Sequence, residues 1–177
     1  MAGDYLYKNV WLKNDADAER DAIVLWRANG GLPKDKTPQE YARELAIVAY
    51  DGGTLIATTT CRLGYIKKVR QNMAMFRLFI APNHRRENIS GPMTVNLFEA
   101  MGTYARENPQ LRIGGMGAVV SARGHLKKPI TPTGNLMLMG YSDSNHPMIL
   151  KWFDHFRIDE EEALNRVPSP SKEDRYG

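Results

Sequence analysis

One cysteine in 177 residues, Cys61, excludes an intrachain disulfide. A lone thiol favours a reducing compartment, so the expected location is cytoplasmic. Cys61 falls in the middle of an apolar strand pattern, where packing rather than nucleophilic chemistry is expected. No run of about 18 apolar residues occurs, which excludes a helical membrane span. The opening residues, MAGDYLYKNV, lack a basic segment followed by an apolar stretch and predict no secretory signal. His84, His125, His146, His155 and Cys61 show no metal-ligand spacing, so no metal is expected. Walker and Gly-x-Ser-x-Gly motifs are missing, as are internal repeats and low-complexity segments.

Hydrophobic residues make up 42% and charged residues 25%, an ordinary globular mixture. The length suits one domain, expected over residues 1–158, followed by an acidic, partly flexible tail at 159–177. The net charge of +4 is unevenly spread. From Asp159 onward six acidic residues face three basic ones, so the tail carries −3 and the body +7. A basic body suits an anionic ligand, whether a phosphate-bearing cofactor or nucleic acid, although a solvated basic surface has the same composition.

The pattern of elements runs β α α β β β α β (α) β β. Residues 5–12 read as a strand. Asn14 with Asp17 suggests the cap of a helix whose apolar face is Ala18, Ala22, Leu25 and Trp26, ended by Gly30 in a left-handed C-cap. Thr37-Pro38-Gln39-Glu40 has the chemistry of a capping box. Strands follow at 46–50 and 54–63, joined by a hairpin at Asp51-Gly52-Gly53. A basic connection (Lys67, Lys68, Arg70) leads to the apolar strand 73–80. The stripe Met93, Leu97, Met101 and Tyr104 predicts a helix, and 111–120 a strand containing three glycines. If strands 73–80 and 111–120 are neighbours, the helix between them makes them parallel. SARGHLKK, from Ser121, reads as two helical turns. Residues 135–141 read as a strand. Residues 148–158 fit both periods, and a strand is preferred because it completes a hairpin. The methionines at 73, 75, 93, 101, 137 and 139 fall on core-type faces.

The informative segment is the strand ending at Ile80, then Pro82-Asn83-His84-Arg85-Arg86-Glu87-Asn88-Ile89-Ser90-Gly91, then an amphipathic helix. Backbone N–H groups at a helix start have no internal partner, and the helix dipole adds partial positive charge. Arg85 and Arg86 add formal charge, which together would cradle a pyrophosphate. An ordinary capped helix beside exposed arginines has the same sequence.

This segment resembles the acetyl-CoA-binding motif of the GCN5-related N-acetyltransferases (GNAT), Pro-x-x-Arg-x-x-Gly-x-Gly/Ala. Pro82 and Arg85 match, while Asn88 and Ser90 stand where that family has small residues. Asn tolerates a left-handed backbone, and Ser90 is small enough to cap a helix or donate to a phosphate. The element order over residues 5–158 is also similar. The resemblance implies an α/β (α+β) fold with a mixed, mostly antiparallel sheet flanked by helices and a splayed parallel strand pair in its middle. It implies acetyl-CoA as acyl donor and direct transfer of acetyl to an amine acceptor, small molecule or protein. Leu78, Phe79 and Ile80 would line the pantetheine, with a backbone N–H polarising the thioester. Arg85, Arg86, Glu87, Asn88, Ile89, Ser90 and Gly91 would hold the pyrophosphate. Arg123, Lys127 and Lys128 are candidates for the outer phosphate. The acceptor would lie where strands 73–80 and 111–120 splay, bordered by loop 30–37 and turn 142–147.

The resemblance designates no acid or base. Many members place a Tyr on the helix after the fifth strand, and SARGHLKK has none. Ser121, His125, Tyr141, Tyr65 and Glu44 remain candidates. Two rivals follow from the residues: a catalytically silent GNAT-like binding protein, and a nucleic-acid-binding module using Lys67, Lys68, Arg70, Arg85 and Arg86. The apolar C-terminal hairpin is a candidate surface for a homodimer.

Overall fold

The structure, a computed structural model, describes residues 5–120, 126, 128–131 and 134–158. The elements run β1 (Leu6–Asn9), α1 (Ala16–Asn29), α2 (Pro38–Ala42), β2 (Leu45–Asp51), β3 (Thr54–Ile66), β4 (Gln71–Ile80), α3 (Ser90–Glu107), β5 (Ile113–Val119), β6 (Met137–Tyr141) and β7 (Pro147–Trp152). The strands order as β1-β2-β3-β4-β5-β7-β6 in a seven-stranded mixed sheet. β4 and β5 are the parallel pair. The pairs β1–β2, β2–β3, β5–β7 and β6–β7 are antiparallel. The described residues form two compact units, one from those up to Cys61 with Arg77–Ala100, the other from Arg62–Phe76 with those from Met101 to residue 158.

In the first unit, α1 buries the expected face of Ala18, Ala22, Leu25 and Trp26 against Val10, Tyr41, Ala42, Leu45, Val48 and Leu55. Each large apolar side chain buried this way contributes about 1.5–3 kcal/mol. The α1 cap is Asp15, not Asn14: the Asp15 carboxylate accepts from the Ala18 N–H at 3.1 Å. Asn14 sits one residue earlier in a left-handed conformation, φ 49°. Gly30 ends the helix as expected, at φ 66°. Thr37 and Glu40 form the full reciprocal capping box. Gly52 and Gly53 both have positive φ, the backbone that a two-residue hairpin demands.

In the second unit, the tight turn Lys67–Arg70 replaces the longer connection expected, because β3 extends to Ile66 and β4 starts at Gln71. Met73, Met148 and Leu150 form a core with Ile66, Val69, Met75, Met139 and Trp152 packed on it. Met137, by contrast, is 41% exposed. Residues 147–152 form a strand because β7 has a partner on each side, β5 and β6. The strand is shorter than the sequence suggests. Phe153 donates to the Gly114 carbonyl at 2.9 Å, and a turn from Phe153 to Phe156 then ends the ladder. Three β5 glycines lie under β7: a Cβ on Gly114 would meet Trp152, one on Gly115 the Lys151 carbonyl oxygen, and one on Gly117 Leu150. Of the helix read over SARGHLKK only Leu126 and Lys128 are described, neither of them helical and Lys128 exposed; Ser121, Arg123, His125 and Lys127 lie outside the described residues, as does the tail from residue 159.

Candidate functional site

β4 positions the candidate cradle. Its parallel register with β5 covers Asn72–Met75, and the strand continues to Ile80. The Ala81 N–H then donates to the Ile56 carbonyl at 2.8 Å, fixing the exit of the strand. A 3-10 turn, Pro82–His84, reverses the chain, with the His84 N–H bonded to the Ala81 carbonyl at 2.9 Å. Pro82 suits the first position of such a turn because its fixed φ is already near helical.

The loop is held by three side chains. The Tyr5 hydroxyl donates to the Glu87 carboxylate at 2.7 Å, and His84 Nδ1 lies 2.6 Å from the same oxygen. The hydrogen bond from Tyr5, then the one from His84, holds the Glu87 carboxyl below its ordinary value. The same bond pushes the Tyr5 phenol up to about 12. Glu87 is among the residues that the resemblance assigns to the pyrophosphate. Its carboxylate is engaged in the fold, tying the approach to β1 to the loop.

Arg85 and Arg86 are both exposed. Arg85 Nε donates to the Ile80 carbonyl at 3.3 Å, which draws its guanidinium to the end of β4. Asn88 is exposed and is not among the residues with positive φ, so an asparagine costs no backbone strain there. Ile89 is fully buried; its carbonyl accepts from the Met93 N–H at 3.1 Å and opens α3. Its N–H donates to the Glu87 carbonyl, so both of its backbone groups are engaged within the fold. Ser90, exposed, and Gly91, buried, are the first two helical residues, and Pro92 offers no N–H. The cradle's backbone donors are therefore those of Ser90 and Gly91, reinforced by the helix dipole. Leu78, Phe79 and Ile80 are half-buried.

A second group of residues gathers in the same unit. Phe79 packs on Gly31, whose added Cβ would lie 2.8 Å from the Phe79 ring and from Trp26. The Trp26 and Tyr41 rings lie 4.5 Å apart, and the Trp26 indole donates to Thr58 at 3.0 Å. Lys36 and Glu44 form an ion pair with side chains only 16% and 5% exposed. Lys36 Nζ and Arg77 Cζ stand 6.0 Å and 5.7 Å from the Tyr41 ring centroid.

Glu44 was among the acid and base candidates; its carboxylate is committed to Lys36. Lys36, Tyr41 and Arg77 carry no role in the sequence reading. A signal for Arg77 was available: it is the one charge in the apolar run MAMFRLFI. Lys68, a candidate for nucleic acid, donates to the Tyr141 carbonyl. No helix among the described residues is long and apolar enough to cross a membrane.

No family model and no curated protein matches the sequence. Solved structures do resemble the fold. Diaminobutyrate acetyltransferase from Paenibacillus lautus, solved with L-2,4-diaminobutyric acid and coenzyme A, gives a TM-score of 0.55 at 14% identity, over 89% of this chain and 99% of that one. Ribosomal-protein-S5-alanine acetyltransferase from Vibrio fischeri gives 0.54 at 11%, over 87% and 96%. An acetyltransferase of the GNAT family from Streptococcus pneumoniae gives 0.50 at 12%, over 85% and 99%. The chain has the GNAT fold: a mixed, mostly antiparallel sheet with one parallel pair, flanked by helices.

Proposed function

We propose that the protein is an acetyl-CoA-dependent N-acetyltransferase that passes the acetyl group directly to an amine acceptor. The observation that carries this reading is the run from the far end of β4, through a loop exposing Arg85 and Arg86, into the N-terminus of α3. It lies within a fold shared with acetyltransferases, one of them solved with coenzyme A. The residues present fit a pyrophosphate: two exposed guanidinium groups, an unstrained Asn88 and small residues at the helix start.

Acetyl-CoA, when bound, supplies an activated acyl carbon and a thiolate leaving group. Ser90 and Gly91 N–H groups with Arg85 and Arg86 would hold its pyrophosphate. A backbone N–H at Leu78, Phe79 or Ile80 would donate to the acetyl carbonyl oxygen as negative charge develops there. Glu87, His84 and Tyr5 keep the loop in shape. The amine must be neutral to attack, so its proton leaves to a nearby base or to water.

Replacing both Arg85 and Arg86 with Ala is expected to weaken acetyl-CoA binding roughly tenfold or more, the scale of a lost charge-assisted hydrogen bond. Thermal stability should not change, because both side chains are exposed. Calorimetric titration of the folded double variant checks this, and unchanged affinity would remove the cradle assignment. Thiol release from acetyl-CoA over a panel of amines then tests turnover. Binding without release under any amine favours the silent binding protein.

A further inference from the structure

Arg77 is the exposed residue of β4: every other position from Gln71 to Ile80 is buried or half-buried. β4 is the fourth of seven strands. At Arg77 the strand has passed the end of its register with β5, whose last pair is Met75↔Gly117, and the side chain reaches solvent there.

The guanidinium lies over the ring of Tyr41. Tyr41 is 3% exposed, its ring packs at a 43° tilt against Trp26, and its phenol oxygen accepts from the Thr60 hydroxyl at 3.2 Å. Arg77 therefore rests on a fixed support, which lowers the entropy lost when its planar fork engages a ligand. Lys36 shares the ring, but Glu44 neutralises it. Among the described residues no carboxylate forms an ion pair with Arg77. The cluster thus presents one uncompensated positive charge, and it is the exposed one.

Strand alternation puts Arg77 and Phe79 on the same face. Arg77 precedes Leu78 by one residue, about 3.3 Å along the strand. An anion held by Arg77 therefore lies within a small molecule's length of the backbone assigned above to the acetyl carbonyl. One free cation matches a monoanion. A phosphate dianion would carry charge in excess of that single cation.

Building on the N-acetyltransferase reading, we propose that Arg77 binds the carboxylate of the acceptor, which makes the acceptor a small amine of the amino-acid type. Arg77 is then a specificity-determining residue, and a carboxylate fits its bidentate geometry.

The test compares free amino acids with their matched α-carboxamides on the wild type, Arg77→Gln and Arg77→Lys. Acetyl-CoA affinity is measured first for each, then acetyl transfer, and then direct binding of the same compounds without acetyl-CoA. The wild type should prefer at least one acid over its amide by about tenfold or more in kcat/KM or in Kd. Arg77→Gln should reduce that preference to near unity with acetyl-CoA affinity unchanged, and Arg77→Lys should retain part of it. Equal use of acids and amides, no response to any acid, or a preference surviving in Arg77→Gln would overturn the proposal. So would a tenfold loss of acetyl-CoA affinity in Arg77→Gln, which would put Arg77 in the cofactor site. If acetyl-CoA fails to bind while acids bind through Arg77, the acetyltransferase reading falls and the carboxylate site stands.

Discussion

Glu44→Ala is expected to destabilise the protein by about 3 kcal/mol, the scale for removing one partner of a buried ion pair. The variant strips the carboxylate from a lysine whose side chain is only 16% exposed. Lys36 follows α1, while Glu44 sits between α2 and β2, so the pair ties together the two ends of the segment that carries α2 and its Tyr41. For a chain of this length the loss corresponds to a fall in Tm of roughly 6–12 °C. The double variant Lys36→Met with Glu44→Leu should recover most of it, because removing both charges also removes their desolvation cost. Thermal melts of the three proteins check this. A Glu44→Ala variant as stable as the wild type would mean that the ion pair contributes nothing to the fold.

Gly115→Ala is expected to cost about 2–3 kcal/mol, at the upper end for overpacking. An added Cβ would lie 2.2 Å from the Lys151 carbonyl oxygen and 2.9 Å from the Trp152 Cα. Both are backbone atoms of the neighbouring strand, so no side chain can rotate away. Relief requires the register Gly115↔Trp152 to open. Gly64→Ala is the control. Its Cβ would meet nothing nearer than Met75 Cγ at 4.0 Å, and the change should stay within about 0.5 kcal/mol. Chemical denaturation of both variants separates the effect of close strand approach from a general cost of replacing glycine in a strand. Equal effects would contradict the packing explanation.

Much of the fold was legible wherever its cause is local. The Thr37–Glu40 capping box, the Gly30 C-cap, the hairpin glycines and the buried stripe of α1 depend on residues within a few positions of one another. The β5 glycines show the limit. In sequence they look like a weakened strand, yet their reason lies across the sheet in Lys151, Trp152 and Leu150. The boundary of β7 was similarly hidden, since alternation continues past Trp152 while pairing does not.

The candidate site divides in the same way. Pro82 and Arg85 could be read as a phosphate loop because the motif is contiguous. Tyr5 and Glu87 are 82 residues apart, so nothing local announces that Glu87 is engaged elsewhere. The Lys36–Glu44 pair, eight residues apart, is brought together by a single turn of helix and was equally silent. Arg77 left a trace, a lone charge within an apolar strand, whose meaning depends on Tyr41 from another element.

Calorimetric titration of the full chain with acetyl-CoA, with CoA and ATP as controls, bears most directly on the cofactor cradle. Saturable micromolar binding at one site, tighter than ATP, is the expected result. No binding at millimolar acetyl-CoA would contradict the cradle and leave the GNAT fold without its cofactor in this protein.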